Sequence, residues 1–206
     1  TDRRTIEEFL QYITINLSEF YRDPYQWKMM EEKAVPELIA RFGRNLKVWS
    51  AACSTGDEPY SLVMAMSRHL PLGNIRIQAT DLDKEVIAKA KDGIYPARSI
   101  VSVPSDLKTR HFRQEGDSFR ITQDIKACVD FREHNLLTDI YPNDCHLIVC
   151  RNVLIYFTEE AKDEVFTKYY KSLVSGGVLF IGSTEQIVNY KEIGYDRKNS
   201  FFYQRP

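Results

Sequence analysis

The stretch Ala51-Ala52-Cys53-Ser54-Thr55-Gly56-Asp57-Glu58-Pro59 gathers small side chains and then two adjacent acids. It follows the apolar segment Leu46–Ala51 and opens a helical pattern over Glu58–Leu70. Small residues there let a ligand approach the backbone, but the stretch is not G-x-G-x-x-G and no G-K-[ST] follows. A pyrophosphate seeks a helix N-terminus free of carboxylates. Asp57 and Glu58 therefore disfavour phosphate and suit a cationic group, unless they simply complement the helix dipole. A second acidic group, Asp81-Leu82-Asp83, closes the apolar segment Ile75–Thr80. Asp83 is read as the cap of a helix starting at Lys84, which leaves Asp81 placed to accept both hydroxyls of a ribose. A ribose acceptor beside a cation site, with no phosphate cradle, describes S-adenosylmethionine better than NAD or ATP.

Two further polar groups follow apolar segments. After Val129–Phe131 comes His134-Asn135-Leu136-Leu137, where an Asn can bond an adenine edge and a Leu can pack on its face. After His146–Cys150 comes Arg151-Asn152-Val153-Leu154-Ile155-Tyr156-Phe157. An Arg-Asn pair directly after a buried strand lies at the ligand-facing edge, and Tyr156 either joins it or packs into the core. His69, His111, His134 and His146 are scattered, and Cys53, Cys128, Cys145 and Cys150 contain no C-x-x-C pair. No metal site and no disulfide framework is expected; buried free thiols in a reducing compartment are.

The elements that must position these residues alternate. Leu46–Ala51, Ile75–Thr80, Val129–Phe131, His146–Cys150 and Val178–Gly182 read as strands, all as continuous apolar runs. Between them lie helical patterns at Glu58–Leu70, Lys84–Lys91, Ser105–Phe112 and Thr158–Leu173. Such alternation predicts a doubly wound, mostly parallel sheet with helices on both faces. Two pieces break it. Ser118–Thr122 and Ile125–Phe131 straddle Gln123-Asp124 as an inserted hairpin, and the polar turn Asp196–Asn199 suggests a closing antiparallel pair. Ahead of the first strand, a capping box at Thr5–Glu8 starts a helix ending near Asn16. Asp23-Pro24 then caps a second helix running towards Phe42, with Pro36 as a bend or break and Gly43 as the stop.

The chain has 206 residues, and its 28 Lys and Arg against 29 Asp and Glu leave a net charge of −1. At roughly 100–200 residues per domain, this is one domain with at most a small appendage. The charge balance makes no global case for nucleic acid. Apolar runs fall far short of the ~20 residues that span a bilayer, and no signal peptide is visible. The start, Thr1-Asp2-Arg3-Arg4, reads as that of a trimmed piece of a longer protein.

The segments Thr14–Arg22, Val48–Ser61 (V-W-S-A-A-C-S-T-G-D-E-P-Y-S), Ala79–Asp83, Asn135–Leu137, Cys150–Phe157 (C-R-N-V-L-I-Y-F), Gly182–Glu185 and Phe201–Tyr203 together resemble the CheR-type chemotaxis receptor methyltransferases, in the family's order. The resemblance implies an α/β, Rossmann-like S-adenosylmethionine-dependent methyltransferase fold. Its sheet would be mostly parallel and doubly wound, with a C-terminal antiparallel strand and a small β-subdomain insertion at about 113–130. It further implies a residual N-terminal helix and linker over 1–23 and a catalytic domain over 24–206. The activity implied is transfer of a methyl group from S-adenosylmethionine to glutamates on the helical cytoplasmic region of chemoreceptors, with S-adenosylhomocysteine as product and no metal. The protein would be a cytoplasmic monomer that neither inserts into a membrane nor binds nucleic acid.

Carried onto matching positions, Asn16, Ser18 and Arg22 would line the cofactor pocket from the linker. Glu58 would meet the methionine end, Asp81 the ribose, Asn135 and Leu136 the adenosine, and Arg151 and Asn152 the cofactor at the fourth-strand loop. Tyr156 and Arg22 would face the point of methyl transfer. The family's small helical domain, basic on one helix, usually precedes the linker; only about fifteen residues precede Asn16 here. Arg113–Ser118 is shorter than the loop that binds a receptor C-terminal peptide in some relatives, so a tether-independent member is expected. Competing readings are an S-adenosylmethionine-binding scaffold or sensor without turnover, and a methyltransferase for a small molecule or nucleic acid. The latter lacks the [DN]-P-P-[YF] motif, since that place reads C-R-N-V.

Overall fold

A computed structural model of the chain describes residues 18–206. The helix expected over Thr5–Asn16, with Asn16 itself, lies outside the described residues. Within them the strands are β1 (Val48–Ala51), β2 (Ile77–Asp81), β3 (Ile94–Pro96), β4 (Phe112–Glu115), β5 (Ser118–Ile121), β6 (Val129–Glu133), β7 (Cys145–Cys150), β8 (Leu173–Ile181), β9 (Asp196–Arg197) and β10 (Phe202–Gln204). The helices are α1 (Pro24–Met29), α2 (Val35–Phe42), α3 (Asp57–Ser67), α4 (Lys84–Asp92), α5 (Ser105–His111), α6 (Gln123–Lys126), α7 (Glu159–Ser172) and α8 (Tyr190–Ile193).

Seven of the strands form one sheet in the order β6-β2-β1-β7-β8-β10-β9. The first five are parallel, and β10 runs antiparallel to β8 and β9. This is the mostly parallel, doubly wound sheet expected from the alternating pattern, and it agrees with the Rossmann-like fold that the resemblance implies. β1 lies between β2 and β7, paired with both through Val48, which opposes Ile77 on one side and Leu147 on the other. That is the switch point of the winding, where loops diverge and leave a crevice.

Side chains alternate between the two faces as the pleat requires. Val48, Leu147, Val149 and Phe180 join Trp27, Leu38 and Leu62 in one core. Trp49, Ile148, Leu179 and Tyr203 join Val165, Phe166 and Tyr169 in the other. Because both faces are covered, the strands can be apolar throughout. The four cysteines are free and buried, as expected.

Local chemistry explains several boundaries. The Asp83 carboxylate accepts from Glu85 N at 2.7 Å and Thr158 Oγ1 from Ala161 N at 3.3 Å, so each caps its helix. Pro36 does not break its helix. Its ring has no N–H for the Glu32 carbonyl, and the chain widens into a π-helical turn over Met30–Ala34 that joins α1 to α2.

Three expectations need correction. Asp23 precedes α1 but makes no side-chain cap; its backbone is left-handed (φ 60°) and its carboxylate turns elsewhere. The inserted hairpin does not turn at Gln123-Asp124, which start α6. It turns at Gly116-Asp117, pairing β4 with β5, and β3 completes a separate sheet ordered β3-β5-β4. Gly116 supplies the positive φ (59°) such a tight turn needs. The small sheet therefore draws its strands from 94–121 rather than 113–130. Finally, the helix expected to reach Leu173 gives way there to β8, which begins five residues before Val178. Gly177 makes this possible, since a Cβ there would lie 2.9 Å from the Cys145 carbonyl.

Gly93 closes α4 with φ 67° and feeds β3, and a Cβ there would stand 2.8 Å from Ile121 Cγ2. Gly93→Ala is expected to lower stability by about 2 kcal/mol through left-handed strain and this clash, read as a lower urea midpoint.

Candidate functional site

The loop from β1 to α3 is wound tightly at the switch point. Ala52, Ser54 and Gly56 all have positive φ (64°, 48° and 90°), a conformation that disfavours the first two. Hydrogen bonds impose it. Cys53 N donates to Thr80 O at 2.8 Å, Ser54 N to Asp81 Oδ2 at 2.8 Å and Gly56 N to Cys53 O at 3.0 Å. Asp81 Oδ1 in turn accepts from Asp83 N at 3.1 Å. Burial raises the Asp81 carboxyl, against the pull of backbone N–H donors including these two. Each oxygen keeps a lone pair for a ligand hydroxyl.

The two acids at the start of α3 separate. Asp57 is buried and its Oδ2 accepts the Thr55 hydroxyl at 2.6 Å. Burial pushes its carboxyl up, opposed by the Thr55 and Ser18 hydroxyls. Of the two acids only Glu58 lines the crevice, so Asp57 is not placed to meet a ligand there. Glu58 Oε1 accepts the Ser50 hydroxyl at 2.8 Å. Burial pushes the Glu58 carboxyl up to about 7 against the pull of the Arg151 guanidinium.

A cleft of about 250 Å³ opens above these groups. Ser18, Arg22, Glu58, Arg151, Asn152 and Tyr156 line it, together with Ala52, Cys53 and Ser54 from the β1 loop. Six sequence-expected positions thus converge. Asp81 lies beside the cleft, tied to it through Ser54. Asn135 and Leu136 follow β6 at the same edge of the sheet but do not line the cleft. Asn135 Oδ1 instead accepts Leu137 N at 2.9 Å, and Leu136 is buried. His134 N donates to Asp81 O at 2.9 Å, which joins this loop to the ribose candidate.

Arg151 does more than line the cleft. It is 7 % exposed, and its Nε and Nη2 donate to Gln26 Oε1 at 3.1 and 2.7 Å. Nη2 also reaches the Arg22 carbonyl at 2.9 Å and Asp23 Oδ2 at 3.3 Å. Its guanidinium lies over the Trp27 and Phe180 rings. This is where the Asp23 carboxylate turns, and it accepts the Ser183 hydroxyl at 3.1 Å as well.

Sequence reasoning missed one residue that organises the cleft's far wall. Glu185 is buried, and its carboxylate accepts four backbone N–H donors: Gly182 (2.8 Å), Asn152, Val153 and Leu154 (each 2.9 Å). The sequence signals for it are its place in the family-like Gly182–Glu185 segment and an acid three residues beyond a glycine that ends an apolar strand, and neither gives it a role. Asn152 has φ 60°, and the turn it starts ends on Tyr156, which is 59 % exposed at the cleft mouth. Among the described residues no group of three His, Cys, Asp or Glu could hold a metal, and no helix is long and apolar enough to cross a membrane.

The arrangement suits a molecule carrying a diol and a cation. It also makes a pH prediction. The folded Glu58 carboxyl sits above its unfolded value of ~4.3, so between them the native state holds the extra proton. Stability then falls as pH rises from ~4.3 through about 7 and levels off above that. Urea midpoints at pH 5 and pH 8 should differ in this direction for the wild type, and by less in Glu58→Gln.

Residues 16–199 match the family model described as CheR methyltransferase, SAM binding domain. The chemotaxis protein methyltransferase of Listeria innocua is 42 % identical over 202 residues, covering 98 % of this chain and 77 % of that protein. The chemotaxis protein methyltransferase 1 of Pseudomonas aeruginosa is 35 % identical over 194 residues, covering 89 % and 70 %. That of Borreliella burgdorferi is 30 % identical over 199 residues, covering 91 % and 70 %. Strand order, cleft and relatives agree: the chain belongs to the CheR methyltransferase family and carries its S-adenosylmethionine-binding domain.

Proposed function

We propose that the chain methylates glutamate side chains in the helical cytoplasmic region of chemoreceptors, forming glutamyl methyl esters, as a cytoplasmic monomer. The observation that carries the reading is the cleft itself. A carboxylate with one hydroxyl partner, Glu58, lies at its floor, and an exposed tyrosine, Tyr156, stands at its mouth. The catalytic domain is 24–206, with the small sheet as an insertion, and 1–23 is a residual N-terminal helix and linker that lends it Arg22.

S-adenosylmethionine, when bound, supplies an electrophilic methyl group on a sulfonium. Glu58 would receive the cationic methionine end, and its carboxyl would be ionised beside that positive charge. Asp81 accepts the ribose hydroxyls on its remaining lone pairs. Ser18 and Arg22 border the cofactor from the linker and Arg151 and Asn152 from the β7 loop, while Asn16, Asn135 and Leu136 are assigned to it by the family pattern alone. The acceptor glutamate is already ionised at neutral pH, so no general base is required. With the donor bound, the carboxylate oxygen would take the methyl group, S-adenosylhomocysteine would leave, and two opposite charges would vanish. Excluding water favours such a step, and alignment supplies the rest. Arg22 orients the incoming carboxylate, and the Tyr156 hydroxyl fixes it by a hydrogen bond. Tight pairing with Arg22 would quench the nucleophile, so its role is positioning. The two-residue turn between β4 and β5 supports independence from a receptor C-terminal peptide.

With tritiated-methyl donor and receptor-rich membranes, the label should appear in a base-labile ester. Donor binding without any transfer would instead establish a scaffold. Tyr156→Phe should slow single-turnover transfer about 10-fold; an unchanged rate removes Tyr156 from the chemistry. By calorimetry, Asp81→Ala should weaken S-adenosylhomocysteine binding about 10- to 100-fold, the worth of hydrogen bonds to a charged group.

A further inference from the structure

We infer that Glu185 is a positioning residue for methyl transfer, acting through the 152–156 turn on Tyr156. The inference rests on the role proposed above for Tyr156. A carboxylate has about four acceptor sites, and here four backbone donors converge on it, two on each oxygen. Gly182 N and Asn152 N meet Oε2, and Val153 N and Leu154 N meet Oε1. Three of the four come from consecutive residues after β7 and the fourth from the end of β8. One anion thus fixes two loops that are adjacent in the sheet and about thirty residues apart in the chain.

The neighbourhood is built around this contact. A Cβ at Gly182 would stand 2.9 Å from both Asn152 N and Glu185 Oε2, so only glycine lets the anion approach. Three successive N–H groups can point at one acceptor only when the backbone bends sharply, and Asn152 supplies the bend with φ 60°. Asn152 Nδ2 also reaches Thr184 Oγ1 at 3.4 Å. The turn then closes with Tyr156 N donating to Val153 O at 3.2 Å and Phe157 N to Leu154 O at 3.0 Å. The backbone atoms that set the direction of Tyr156 therefore belong to residues gripped by Glu185. Tyr156 itself is exposed, and among the described residues no side chain bonds its hydroxyl. Its placement comes from the backbone beneath it. A misplacement of ~1 Å at a reacting centre costs on the order of 100-fold.

Glu185→Gln keeps the shape but turns one acceptor into a donor facing N–H groups. The test is a double-mutant cycle on single-turnover transfer of tritiated methyl to receptor-rich membranes at saturating donor. Glu185→Gln, Tyr156→Phe and the double variant are compared with wild type. Calorimetric binding of S-adenosylhomocysteine confirms that each is folded. Glu185→Gln should slow transfer about 10-fold or more in the wild-type background and no more than about twofold in the Tyr156→Phe background. Equal slowing in both backgrounds, or none in the first, overturns the inference. If Tyr156→Phe alone transfers at the wild-type rate, the role of Tyr156 fails, and the inference fails with it. Should Glu185→Gln not fold, Glu185→Asp keeps the charge one methylene short and enters the same cycle with the same expected pattern.

Discussion

A guanidinium stripped of water holds this site together. Removing an arginine's charge from solvent costs several kcal/mol unless its hydrogen bonds and its charge are both answered. Arg151 meets that demand with Gln26, the Arg22 carbonyl and Asp23 on one side and the Trp27 and Phe180 rings beneath. Burial lowers its pKa, while Glu58 and Asp23 favour its charged form. The segment leading into α1 cannot leave the sheet without stranding this charge. Ser18 and Arg22 are therefore held at a set height above the end of β7 by the residue that also borders the cleft floor.

Around that clamp, carboxylates work chiefly on backbone. Asp81 fixes Ser54 in a left-handed conformation, and Glu185 fixes Asn152. Both loops reach the crevice already bent, with the strain balanced by charge-assisted hydrogen bonds rather than by glycine. Such loops need little rearrangement when a ligand arrives, and pre-organisation of this kind raises affinity without new contacts. Glu58 is the exception: burial pushes its carboxyl up to about 7 against the pull of the Arg151 guanidinium and the Ser50 hydroxyl, so its charge responds to what approaches it.

What could be read from the residues alone follows a physical divide. Strand positions were legible because burial on both faces writes a continuous apolar run, as in Leu147–Val149, and helix starts were legible where a local side chain caps, as at Asp83 and Thr158. The loops of the site were legible because they follow those strands. Asp23 misled because its local pattern matches a cap while a distant arginine takes its carboxylate. Gln123-Asp124 misled because a polar pair reads equally as a turn or as the first turn of a helix. Glu185 was invisible in its role, since its partners are main-chain groups, and main-chain groups leave no trace in residue type. Asp57 and Glu58 are adjacent and alike in type, and only the packing of Thr55 and Ser50 tells them apart.

The π-helical turn at Met30–Ala34 has an evolutionary reading. A wide turn holds one residue more than an α-helical path of the same rise, so it is how a helix absorbs a single-residue insertion without rotating what lies beyond it. Trp27 on one side of it and Val35 and Leu38 on the other all reach the same core. The turn thus acts as a phase adjuster. It lets the ring that supports Arg151 and the apolar stripe of α2 obey separate constraints, so either half of the helix could drift in sequence without dragging the other out of register.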